Sequence, residues 1–270
     1  TVHCTRDGGK ESFAARVVVL AAGAVNSAAV LLSSASDAHP RGLANGSGQV
    51  GRNYMCHINS VMLGLAPWRA NPTVFQKTIG VNDFYRESGD AGFPWPLGHV
   101  QLLGKVTGKV LAAQRPRLPR RLAQWSGRHS VDWWLTTEDL ASPDNRVTLS
   151  EEGRIRLSYA PNNLEAHARL LSRWRAILRR IGFPLLFTQT MGIEAVAHQV
   201  GTARFGSDPA TSVLDPYCRA HQLDNLYIVD GSFMPSIAAV NPSLTIMAQA
   251  LRVAGHIETR FAHGDWAQSS

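Results

Sequence analysis

The chain has 270 residues, 44% hydrophobic and 17% charged, which is enough to bury a sizeable core and fits a globular fold rather than a disordered one. Its formal net charge is +7, carried by 23 Arg against 4 Lys. No apolar run reaches the roughly 18 to 20 residues of a membrane-spanning helix. The three cysteines, Cys4, Cys56 and Cys218, are far apart and form no C-x-x-C pair, which argues against a disulfide framework or a zinc knuckle.

In chain order, TVHCT (Thr1 to Thr5) has the character of a strand and RDGGKES that of a tight turn. FAARVVVLAAGAVNSAAVLLSS then predicts a strand over Ala15 to Leu20, a small-residue turn and a short helix. The unbroken apolar run Val17 to Leu20 predicts a strand covered on both faces, as in a parallel sheet. The turn holds Gly23 and Ala24 but has no G-x-G-x-x-G spacing, so by itself it specifies no phosphate site.

From about Met55 to Ile193 the character changes to short strands, loops and one clear helix. The Arg-rich QRPRLPRRLAQWSGRHS, Gln114 to Ser130, reads as a solvated loop or short helix, or else as a basic patch for an anionic partner. Only Trp125 is interleaved with its arginines and no nucleic-acid module accompanies it, so no nucleic-acid partner is expected. VDWWLTTED and NRVTLSEEGRIRLSY alternate as strands, the second around Glu152 and Gly153. Leu164, Leu171, Trp174, Leu178 and Ile181 mark one face of an amphipathic helix. Trp95, Trp125, Trp133 and Trp134 read either as core packing or as platforms for a sugar or aromatic alcohol. The region is expected to form a second, α+β domain inserted into an α/β layer.

In EAVAHQVGTARFG, His198 lies in an apolar run ahead of Gly201 and Gly206. It reads as a core or cap histidine, or as a proton acceptor near neutral pH. DNLYIVDGSFMPS gives a strand over Leu226 to Val229 that ends in Asp230 and Gly231. Ligands of open α/β sheets bind at such strand ends. Asp230 either holds its own turn or accepts from a ligand hydroxyl, and Gly231 permits close backbone approach. SIAAVNPSLTIMAQAL follows, with a helix from Ser243 to Phe261 whose Leu244, Met247, Leu251 and Ala254 keep helical spacing. Asn241 and Ser243 are both candidate caps. Pro242 biases Asn241 toward an extended conformation, so its side chain reads either as a cap or as a group aimed in front of the helix. A helix start there favours a ligand that becomes negative.

In order, H-x-x-G-T from His198, then SVLD, DNLYIVDGS and NPSLTIMA resemble the C-terminal signature of the glucose–methanol–choline (GMC) oxidoreductases. The segment VVVLAAGAVNSAAVLLSS, with GQVGRNYMCH after it, resembles that family's return into its FAD domain. The likeness covers Ala15 to about His57 and Glu194 to Phe261. It implies a partial, Rossmann-like FAD-binding domain with an inserted antiparallel-sheet substrate domain, an α/β plus α+β fold. It divides the chain into residues 1–54 (FAD domain, middle part), 55–193 (substrate domain) and 194–270 (catalytic segment and return). It implies FAD as cofactor and oxidation of an alcohol or sugar CH–OH group. His198 matches the catalytic base and Asn241 the second active-site position. Gly23, Ala24, Asp230, Gly231, Asn241 and Pro242 match positions lining the FAD, and no metal is implied. Oxygen, a quinone or a redox protein would take the electrons. The family's opening G-x-G-x-x-G is missing from this sequence, so the chain reads as the C-terminal part of a longer protein. Whether it holds FAD alone stays open. The same fold also serves a lyase that keeps FAD for structure, and an inactive fragment or interaction module is a further alternative.

Overall fold

The computed structural model describes residues 1–75 and 77–266. Strands β1 (Val2–Arg6) and β2 (Gly9–Phe13) form an antiparallel hairpin. Its turn residues Asp7 and Gly8 both have positive φ, the geometry that matches strand twist in a two-residue loop. β3 (Val18–Leu20) leads through Gly23 into α1 (Ala24–Ser33). β4 (Met55–Cys56), β5 (Ile58–Leu65), β6 (Gly80–Val81) and β7 (His99–Leu102) follow. Two short helices come next, α2 (Gly108–Gln114), capped by the Thr107 hydroxyl, and α3 (Arg120–His129). β8 (Ser130–Thr137) precedes the hairpin β9 (Arg146–Leu149) and β10 (Ile155–Ser158). The chain closes with α4 (Leu164–Arg180), β11 (Leu185–Thr190), β12 (Gln199–Val200), β13 (Leu226–Ile228) and α5 (Ser243–Ala262).

These elements serve two hydrophobic cores. In one, the antiparallel sheet β11-β5-β8-β7-β6 carries α4 on a face. Met62, Val100, Trp133 and Leu135 of the sheet meet Ala166, Leu170, Trp174 and Leu178 of the helix, and Trp133 and Trp174 contact edge to face at 4.6 Å. The other core is built on the parallel pair β3–β13, with α1, β4, β12 and α5. Tyr54, Met55, Leu214, Tyr227, Ile228 and Ile237 are fully buried in it, and Val147 of β9 joins them.

Several expectations are corrected. β3 pairs in parallel, but it is not covered on both faces: Val19 is 50% exposed, because no described element lies over that side. The buried face of α4 is Ala166, His167, Leu170, Trp174 and Leu178, so Leu164 and Ile181 lie at the helix ends in solvent. The apolar stripe of α5 exists, yet Leu244, Met247 and Leu251 are 74%, 57% and 76% exposed. The helix packs through Val253, Ile246 and Ile257 instead. Of the tryptophans, Trp133 is core, Trp125 stacks on His129, and Trp95 stands in solvent at the mouth of a cavity. Among the described residues, no helix is long and apolar enough to cross a membrane, and no cluster of side chains could hold a metal.

Candidate active site

A chain of short contacts brings distant segments to one place. Asp230 ends the strand segment of β13 and is buried. One carboxylate oxygen accepts from the Gly23 N–H at 2.9 Å and from the Ser27 hydroxyl; the other accepts from the N–H and hydroxyl of Ser232. Asp230 therefore ties the β3–α1 turn to the end of β13, and both its oxygens are engaged within the chain. Gly23 has φ +85, and open space lies where its Cβ would be, so the turn presents bare backbone outward. Ala24 is buried behind it, its carbonyl accepting from the Thr202 hydroxyl at 2.6 Å.

Gly231 is the next link. A Cβ there would meet the Gln199 carbonyl at 2.6 Å, so only glycine lets this strand end pack on β12. The Ile246 side chain, in the first turn of α5, borders the same point. Gly201, with φ +95, similarly lets β12 run against the Asn53 carbonyl. His198, just before β12, is thus fixed by a glycine on either side of the strand.

The Asn241 side chain turns away from the helix. Its Nδ2 lies 3.3 Å from His198 Nε2. Neither Asn241 nor Ser243 caps α5: the helix begins after Pro242 with no side-chain cap bond, and Ser243 is its first residue. The first-turn N–H groups are left free beside the His–Asn pair, a ready donor set for an anion.

Two further groups act on His198. His57, between β4 and β5, brings its Nδ1 to 3.1 Å from His198 Nδ1, with the rings at 76°. The charge of Lys77, in the loop before β6, also acts on His198. Burial, then the Lys77 charge, holds the His198 pKa below the usual histidine value. Burial pushes His57 down to about 4, so that ring stays neutral. The signal for His57 was slight: it closes the GRNYMCH segment, 141 positions from His198, and nothing local pairs the two. The cysteines are not candidates for nucleophiles. Cys56 and Cys218 are buried, with thiols pushed up to about 11, mainly by desolvation, and Cys4 stands exposed on the β1 hairpin.

A cavity of about 550 Å³ borders the loop that leads to Asn241, although His198, His57 and Asn241 do not themselves line it. Tyr85, Phe93 and Trp95 give it aromatic walls; Glu138, Asn162 and Asn163 give it polar ones. Ala238 and Ala239 line it two residues before Asn241. Glu138 accepts from the Ser236 hydroxyl and the Ala238 N–H, which pins that loop.

A family model described as GMC oxidoreductase, its C-terminal domain, matches residues 141–250. Paromamine 6'-oxidase from Streptomyces fradiae is 33% identical over 268 residues, 91% of this chain and 47% of that protein. 6'''-Hydroxyparomomycin C oxidase from Streptomyces lividus is 33% identical over 260 residues, 92% of this chain and 46% of that protein. The chain spans about half the length of these curated relatives. A crystal structure of pyridoxine 4-oxidase from Mesorbium loti shares the fold, with a TM-score of 0.65 at 21% identity over 95% of this chain and 54% of that one.

Proposed function

Since the chain belongs to the GMC oxidoreductase family, we propose that it supplies the proton-handling and substrate-facing half of a flavoprotein that oxidises an alcohol to an aldehyde or ketone. The observation that carries this reading is the His198–Asn241 pair, 3.3 Å apart at an uncapped helix start.

GMC oxidoreductases are flavoproteins, and the residues here suit such a group. The open backbone at Gly23 leaves space for it, and the free N–H groups of α5 offer donors for negative charge. Gly23, Ala24, Asp230, Gly231, Asn241 and Pro242 are the residues that would line it, Ala24 and Asp230 by shaping the turns. FAD, when bound, supplies the hydride acceptor and gains negative charge in doing so.

The rest is done by this chain's own side chains. His198, kept neutral by its lowered pKa, takes the substrate hydroxyl proton at Nε2. Asn241 donates from Nδ2 to the substrate oxygen and fixes its angle to His198. The cavity that borders the loop leading to Asn241 has apolar ring faces and amide and carboxylate groups, which suit a hydroxyl-rich substrate; Glu138 adds a preference for a cationic group such as an amine. The two oxidases at 33% identity are named for paromamine and 6'''-hydroxyparomomycin C, names that carry an amine and a hydroxyl group, in keeping with that chemistry.

The test uses the flavin-loaded protein that contains this chain. Mixed anaerobically with an amino-sugar alcohol, the wild type should bleach its flavin absorbance and yield a carbonyl product. His198→Ala should keep its flavin and reduce it about 10²- to 10⁴-fold more slowly. Bound flavin that no alcohol bleaches would point to a lyase and end the oxidation reading.

A further inference from the structure

We infer that His57 is a positioning residue for His198: it accepts the Nδ1 proton of His198 and so keeps Nε2 bare for the substrate. This rests on the reading of His198 as base.

The geometry limits the proton arrangements. Two ring nitrogens 3.1 Å apart can share only one proton between them. Asn241 Nδ2 is a donor, and it faces His198 Nε2. That nitrogen must then carry a lone pair, so the single proton of neutral His198 sits on Nδ1 and points at His57 Nδ1. His57 has to accept there, and its own proton goes to Nε2. That nitrogen is buried, and the main chain of Ile237 and Ala238 beside the ring favours a proton on His57.

The charged state is stricter still. When His198 takes the substrate proton at Nε2, both its nitrogens become donors. The Nδ1–H of the imidazolium then needs an acceptor, and His57 Nδ1 is the one within reach. The balance is simple: the substrate O–H bond breaks, an N–H bond forms at His198 Nε2, and the proton between the two histidines stays on His198. Nearly complete burial keeps His57 from competing for a second charge, its relative exposure being 4%. Among the described residues, the titratable groups that act on His198 are His57, at 3.1 Å, and the Lys77 charge, and His99 of β7 acts on His57 in turn.

Sequence neighbours place the acceptor. β12 pairs antiparallel with β4, Gln199 opposite Cys56, so the residues flanking the pair, His198 and His57, come together by register.

The experiment compares His57→Leu and His57→Asn in the flavin-loaded protein, with His198→Ala run beside them. Leu removes the acceptor; Asn restores one through its side-chain carbonyl. His57→Leu should keep its flavin, reduce it about 5- to 100-fold more slowly, and move the acid limb of the rate to lower pH, because the imidazolium has lost a partner. His57→Asn should recover most of the rate. A rate and limb unchanged in His57→Leu, or Leu and Asn equally slow with the limb unmoved, would overturn the assignment and leave a packing role. If His198→Ala reduces flavin normally, the base reading fails instead, which is a different result. A nitrogen-15 spectrum of the histidine-labelled wild type needs no variant to fold. It should show His198 protonated at Nδ1 and His57 at Nε2; the reverse pattern would also overturn it.

Discussion

At the scale of single residues, the site depends on where protons and lone pairs can go. Asn241 is useful because its amide can only donate from Nδ2 toward His198 Nε2. Asn241→Asp replaces that donor with a carboxylate. The carboxylate would hold His198 in its protonated form and repel charge developing on the substrate oxygen. Flavin reduction should fall by about tenfold or more, in line with loss of one oriented donor, and its acid limb should rise. Single-turnover kinetics across pH would show both; an unaltered limb would mean the side chain sits elsewhere. Two features of the sequence marked Asn241: a polar residue between apolar segments, and a proline that keeps it out of the helix. His57 carried no comparable mark. Its partnership is made by a two-residue strand pair, β4 with β12, too short for any periodic pattern to reveal.

At the scale of elements, the docking of α4 hangs on a buried polar network. Thr137 donates its hydroxyl proton to the Leu97 carbonyl, so its oxygen must accept from His167 Nδ1. His167 Nε2 then accepts from Ser60, whose oxygen lies 3.0 Å from the Thr190 hydroxyl. One histidine thereby joins α4 to strands β5, β8 and β11. The bond that Nε2 accepts from Ser60 needs neutral imidazole, and burial pushes His167 down to about 4. The unfolded chain takes up that proton near 6.5, so the contribution is present above 6.5 and is lost as pH falls from there toward 4. It amounts to on the order of 3 kcal/mol. His167→Gln should unfold at lower denaturant at neutral pH, and its midpoint should fall less than the wild type's between pH 7 and 4.5. Parallel pH dependence in the two would refute it. The helix itself was legible from its period, and so were Trp174 and Leu178 of its buried face, but the rest of that face was not. Leu164 and Ile181 fit the stripe and lie past the sheet's reach, while a histidine in the stripe belongs to the core because Ser60 and Thr137 await it.

At the scale of the molecule, two cores meet around the site. The motifs that mark its residues lie far apart, and their order along the chain was enough to suggest a family. What that order could not convey was which surfaces this chain covers by itself. Val17 to Leu20 reads as a strand buried on both sides, and α5 as a helix with an apolar stripe. Both descriptions fit the residues, yet Val19, Leu244, Met247 and Leu251 face outward. Hydrophobic pattern records that a face is to be buried without recording what buries it. The 270-residue chain on its own should therefore bind a hydrophobic dye and associate as its concentration rises. A monomer at all concentrations in sedimentation, with no dye bound, would contradict that.

The most direct measurement is the anaerobic rate of flavin reduction by alcohol as a function of pH, in the flavin-loaded protein containing this chain. If His198 is the base, the rate is governed by its neutral form. It should stay level through neutrality and fall only below about 6.5, because burial and Lys77 depress the pKa of His198. A rate that does not vary from pH 8 down to pH 4, or one that begins to fall well above 7, would assign the proton to another group.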